Sequence, residues 1–190
     1  MGASNVSIEN MLFYMIAVLP AYLILRLILL TVRNTKINWY HEAALLLLVL
    51  FAAGTASQTI LPDVALGADV QTGVHKTNLI PFRIIWTTYQ KAAANGTPHT
   101  FLFNFFGNIL LFLPVGFFLP LLWHLKGKTV ILIGFLSSLA IELCQLFLTR
   151  YSDIDDVILN TVGVILGLLI FRLLNLLCKK TTEKFKNHPS

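Results

Sequence analysis

The sequence predicts an all-α fold: a polytopic membrane helix bundle of about five transmembrane helices, with an amphipathic interfacial helix in a long outer loop. Three observations predict it. Only 12% of the 190 residues are charged and 56% are hydrophobic, with a mean hydropathy of +0.76, where a soluble domain carries about 25% charged residues. The apolar residues fall in runs of roughly twenty, the length that crosses a bilayer. The basic residues cluster at the ends of those runs, where topology and anionic headgroups account for them. A net charge of +5 distributed in this way points to membrane lipids as partners and away from nucleic acid.

The expected spans are Met11–Leu30, Ala43–Leu61, Phe103–Trp123, Thr129–Thr149 and Val157–Leu177. The first follows a segment without Lys or Arg, and no clean small-residue cleavage site follows it. It therefore reads as a retained helix and not as a signal peptide. Arg26 and Arg172 stand near the ends of the first and fifth spans, where a long side chain can snorkel. The later half of the second span, Gly54-Thr55-Ala56-Ser57-Gln58-Thr59, is small and polar and suits a helix contact or a cavity wall. In the fifth span Gly163 and Gly167 form a GxxxG pair that lets a neighbouring helix approach closely.

The loop Pro62–Thr100 is long enough to be functional or self-structured. After Pro81, the residues Phe82, Ile85, Trp86 and Tyr89 fall at i, i+3, i+4 and i+7, with Arg83, Thr87, Gln90 and Lys91 between them. This is the pattern of a helix lying on the membrane interface; a re-entrant segment packed into the bundle is the alternative. Ala92–Pro98 reads as a hinge.

The loops set the orientation. Arg33 and Lys36, Lys126 and Lys128, and Lys179, Lys180, Lys184 and Lys186 share one side, which the positive-inside rule makes cytoplasmic. The N-terminus is then outside and the C-terminus inside. Residues 179–190 read as a basic cytoplasmic tail, disordered or touching lipid. No internal repeat supports an inverted-repeat transporter design.

Glu142 lies inside an otherwise uncharged run. A carboxylate facing lipid at a helix centre costs at least about 2.5 kcal/mol, so it must face protein or a wet cavity. Ser138, Glu142, Gln145 and Thr149 form one polar stripe. Asn104 and Asn108 open the third span on one face, with Asn108 expected about 7 Å deep. Asp156, Asn160, Gly163 and Gly167 form a stripe on the fifth. The candidate outer-leaflet pocket is therefore Asn108, Glu142, Gln145, Arg150, Asp153, Asp156 and Asn160, with Arg83 from the loop. Interhelical hydrogen bonding alone would also suit the carboxamides. Asp153–Asp156 precede a helix and suit capping. Arg150 is expected to pair with Asp153 or Asp156, leaving Glu142 to a carboxamide, water or ligand.

No metal-ligand spacing and no nucleotide-binding loop occurs, so neither a metal nor a cofactor is expected. Cys144 and Cys178 fall at different depths, which argues against a disulfide; both read as small packed residues. His75, His99 and His124 have no partner spacing and read as exposed.

Several stretches resemble the VanZ family: Asn78-Leu-Ile-Pro-Phe82, Asn108-Ile-Leu-Leu-Phe-Leu-Pro-Val-Gly116, Ile141-Glu-Leu-Cys-Gln145, and Arg150-Tyr-Ser-Asp-Ile-Asp-Asp156 with Asn160-Thr-Val-Gly163. The resemblance runs from about Ala44 to Leu174. It implies a VanZ-like transmembrane domain over 43–178, preceded by an additional helix and cytoplasmic loop over 1–42. It also implies a bacterial cell-membrane protein with a cell-envelope role, related to a teicoplanin-resistance protein. Two classes of function follow. One is a non-enzymatic protein whose outer pocket binds a lipid-linked cell-wall precursor or a glycopeptide. The other is a membrane-embedded enzyme acting on a lipid-linked envelope precursor, with Glu142 as general acid or base. A small lipid or solute carrier is a further alternative.

Overall fold

The computed structural model describes residues 3–33, 36–59, 77–147 and 152–186. The helices are α1 (Ala3–Arg33), α2 (Trp39–Thr59), α3 (Arg83–Ala94), α4 (Pro98–Leu122), α5 (Gly127–Phe147), α6 (Ile154–Leu177) and α7 (Lys179–Glu183). Two short strands, β1 (Thr77–Asn78) and β2 (Ser152–Asp153), pair in parallel, with Thr77 opposite Ser152 and Asn78 opposite Asp153. Five helices are long and apolar enough to cross a membrane: Met11–Val32, Trp39–Thr59, Pro98–Leu122, Gly127–Leu146 and Ile154–Leu177. The expected five spans are present, and α3 is the expected amphipathic helix of the long loop.

Several span boundaries move: the second span starts at Trp39 and not at Ala43, and two shifts bear on the site. The third span starts at Pro98 and not at Phe103. Proline fits the first helical turn because its missing N–H has no intrahelical partner there. Asn108 is therefore about 15 Å along its helix, not 7 Å. The fifth span starts at Ile154, because the Asp153 carboxylate accepts the Asp155 N–H and caps α6. The acidity of this turn is partly capping, as its position before a helix suggested.

The tightest packing is α4 against α6. A Cβ on Gly163 would collide with the Ile109 carbonyl, one on Gly167 with the Leu113 carbonyl, and one on Gly116 with the Val164 carbonyl. The GxxxG pair thus brings two backbones into contact. In lipid, where helices gain no hydrophobic drive to associate, such close approach supplies the van der Waals contact. Phe112, Val130 and Val164 form one core cluster. Ala44, Leu121, Leu122, Leu168 and Phe171 form a second, towards the lysine-bearing end.

Helix α1 packs on α2, with Met11 and Met15 over Gly54. At the other end of this pair Arg26 does not snorkel. Its Nε and Nη2 donate to the two Glu42 carboxylate oxygens at 2.6 Å each. The bidentate geometry neutralises both charges within the bilayer.

The basic tail is not disordered over the described residues. The chain turns after Leu177 into α7. Thr182 is buried, donating to Asn175 Oδ1. Phe185 packs against the second core cluster and edge-on to Tyr40. The Asn38 amide donates to the Lys184 and Lys186 carbonyls, and His41 Nδ1 lies 2.8 Å from the Phe185 carbonyl. The cysteines also differ from expectation: Cys144 and Cys178 are both free and exposed, not packed. Cys144 lies within α5, and Cys178 caps the junction between α6 and α7.

Candidate functional site

The site forms at the end of the bundle where α2, α5 and the β pair meet the starts of α4 and α6. Its frame is a set of buried hydrogen bonds. Glu142 Oε2 accepts the Asp153 N–H at 2.7 Å. Asp153 Oδ1 in turn accepts the Asn78 amide at 2.8 Å and the Asp155 N–H at 3.0 Å. Asn78 also donates to the Ile80 carbonyl and accepts the Ile80 N–H, turning the chain towards Pro81. Asp155 then caps α3. Its carboxylate accepts the N–H groups of Phe82, Ile84 and Ile85, the last two at 2.9 and 3.1 Å. Ser152 to Asp155 thus ties α5, β1, α3 and α6 together. Phe82 adopts a left-handed conformation with φ 64°, which costs a residue with a Cβ roughly 1–2 kcal/mol. The Asp155 bond to its N–H offsets that cost.

Burial raises the Asp153 carboxyl above the usual aspartate range, and the Asn78 amide and the Asp155 N–H pull it partly back. Among the described residues no cationic side chain pairs with Asp153, Asp155 or Asp156.

Beside this frame lies a cavity of about 590 Å³ between α3, α4 and the start of α6. Asp153, Asp155 and Asp156 form its acidic side and Phe101, Phe103 and Phe105 its aromatic wall. Asn108 lines it as well and donates to Asp156 Oδ1 at 2.5 Å. Helix α3 covers it with Ile84, Ile85 and Thr88, while Trp86 and Tyr89 face outward. Tyr89 packs edge-on against Phe101, which stacks on Phe105, so the cover is fastened to the α4 wall.

The residues selected from the sequence fall into two groups. Asn108, Asp153 and Asp156 line the cavity. Glu142, Gln145 and Asn160 are buried beside it, in contacts between helices. Glu142 faces the bundle, but its partners are the Asp153 N–H and the Ser152 hydroxyl and not a carboxamide. Gln145 donates to the Thr59 carbonyl of α2 at 3.0 Å, and Asn160 donates to Ser138 Oγ at 2.8 Å. Asn160 and Gln145 each keep a buried carbonyl oxygen without a hydrogen-bond partner among the described residues. Arg83 does not join the site. It is exposed at the start of α3, on the side away from the cavity lining, because Asp155 draws the α3 backbone inward and leaves this side chain outside. Arg150 lies outside the described residues, as does His75. His99 and His124 are exposed as expected.

Two residues that organise the site were not singled out from the sequence. Asn78 opened one of the VanZ-like stretches but was given no role, although an Asn two residues before Ile-Pro is a good Asx-turn signal. Asp155 looked like one of several dipole-favouring acids. Its role depends on α3 arriving over it, and no local pattern encodes that arrival.

Neither a curated protein nor a solved structure matches the chain. The VanZ/LLP1 family model matches residues 42–175, a stretch that includes Asn78, the α4–α6 glycine contact, Glu142 and the Asp153–Asp156 turn. With most of its length and all of the site inside that match, the chain is a multi-pass membrane protein that belongs to the VanZ/LLP1 family.

Proposed function

We propose that this protein is a binding protein of the outer membrane leaflet. Its cavity receives the head of an amphiphile carrying ammonium and hydroxyl groups, either a lipid-linked cell-wall precursor or a teicoplanin-type glycopeptide. Binding there lowers susceptibility to such glycopeptides. One observation carries the reading: three aspartates and three phenylalanines line a cavity of about 590 Å³ beneath the amphipathic helix α3. Carboxylates accept hydrogen bonds from ammonium and hydroxyl groups, aromatic faces attract cations, and the lipid tail of such a ligand can stay in the bilayer. The distribution of Lys and Arg supports an outside position for this end. Arg83 is exposed and does not line the cavity, so it adds no cation to this reading. Covalent catalysis draws on a nucleophile beside a base, and the described lining residues bring no such pair together.

Gly107 gives a clean test. It lines the cavity, and a Cβ there would meet nothing within 4 Å. Gly107→Phe fills the space without disturbing the backbone, and Asp156→Asn removes a charge at nearly constant shape. A deletion strain complemented with each variant should lose the wild-type glycopeptide tolerance while the protein accumulates normally. Full tolerance with Gly107→Phe would sink the cavity reading.

A further inference from the structure

The opposite end of the bundle carries a second surface, independent of the cavity. Lys126 and Lys128 flank the first residue of α5. The Arg172 guanidinium lies directly over Gly127 between them. The docked tail adds Lys180, Lys184 and Lys186. Lys184 sits over the Tyr40 ring, 5.6 Å from its centroid. Among the described residues none of these six cations faces a carboxylate. Glu42 is taken by Arg26, and Glu183 lies 3.8 Å from Lys179.

Two features mark this as more than a solvated basic end. A guanidinium laid over a helix start adds positive charge where the helix dipole is already positive, and the first turn of α5 holds no acid. That arrangement is unfavourable unless an anion shares it. Second, the backbone that carries Lys184 and Lys186 is held in place. Asn38 grips the Lys184 and Lys186 carbonyls, His41 lies against the Phe185 carbonyl, and the Phe185 ring is seated in the core. The neighbouring Leu176 and Leu177 are exposed, as are Trp39 and Tyr40, which suits a surface at the level of lipid headgroups.

We propose that this end is a binding platform for anionic phospholipid headgroups, and that docking of residues 179–186 onto α2 builds it. Phosphates would lie between the α5 start and the tail lysines, with the acyl chains along α5 and α6.

The full chain in phosphatidylcholine nanodiscs, with trace spin-labelled phosphatidylglycerol or phosphatidylcholine, reports the preference for the anionic lipid as the ratio of immobilised label. The wild type should prefer phosphatidylglycerol. Lys180→Gln, Lys184→Gln and Lys186→Gln are exposed or half-buried changes, and each should reduce the ratio by about fivefold, the value of one base at a lipid surface. Asn38→Ala with Phe185→Ala keeps every charge but undocks the tail, which is verified by faster amide exchange at Thr182. It should also lower the ratio. Equal association of the two lipids would overturn the proposal. So would an unchanged ratio once the tail is undocked. Displacement by soluble inorganic phosphate at matched ionic strength would assign the surface to a free anion and overturn the lipid assignment.

Discussion

Removing the Asp155 carboxylate should release α3 from the bundle while leaving the transmembrane packing intact. Asp155 is 1% exposed and accepts three N–H groups at the start of α3. In Asp155→Ala, water can reach the Phe82 N–H, because Phe82 is largely exposed. The Ile84 and Ile85 N–H groups belong to half-buried residues and stay dry. Two buried donors at roughly 1.5 kcal/mol each give about 3 kcal/mol. Losing the bond that holds Phe82 in its left-handed conformation acts in the same direction. At 1.36 kcal/mol per decade this is about a hundredfold in the local opening equilibrium. Amide hydrogen exchange in nanodiscs measures it directly. The amides from Trp86 to Ala94 should lose about a hundredfold in protection, while those in the middle of α4 and α6 keep theirs. Asp155→Asn retains one acceptor oxygen and should lose roughly half as much in free energy. Unchanged α3 protection in Asp155→Ala would refute the reasoning, because α3 would then be held by its aromatic face alone.

The same geometry makes further predictions. Gly163→Ala and Gly167→Ala each push a methyl into a facing carbonyl and should cost about 1–3 kcal/mol in denaturant unfolding; neutral substitutions would mean the α4–α6 crossing is loose. Arg26→Met leaves Glu42 unpaired in the bilayer and should cost about 3 kcal/mol, most of it recovered by adding Glu42→Gln; strictly additive effects would show that the two residues are uncoupled. Asp153 links stability to pH. Its raised carboxyl pKa means that the folded chain holds the proton more tightly than the unfolded chain. The stability it contributes is then fully present below about pH 3.9, the unfolded aspartate value, and is lost as pH rises through the higher folded value. Asp153→Asn stays neutral and keeps the acceptor oxygen. Its Tm relative to wild type should therefore climb as pH rises from about 3.9 towards neutrality, and a flat or falling difference would show that burial does not dominate at Asp153.

Hydrophobic run length and charge placement were enough to read the membrane class, the five spans and the amphipathic loop helix, because these depend on properties local to the chain. Periodicity also placed Glu142 on a protected face and identified the Gly163 and Gly167 contact face. What periodicity cannot supply is the rotation of each helix against its neighbours. The α4–α6 backbone contact sets that rotation, and it separates Asn108 and Asp156, which line the cavity, from Glu142, Gln145 and Asn160, which hold the helices around it. The β1–β2 pair is two residues long, too short for any alternation to announce it, yet it brings Asn78 to Asp153 across 75 positions of sequence. Asp155 became the anchor of α3 only when that pairing carried Pro81 and Phe82 over it. The tail was read as disordered or touching lipid because its composition is basic, but composition does not reveal that Thr182 finds a polar partner in Asn175 and Phe185 an apolar seat against the second core cluster. Local chemistry determined which segments enter the membrane, and tertiary contact decided which polar groups face an open cavity and which only hold the bundle together.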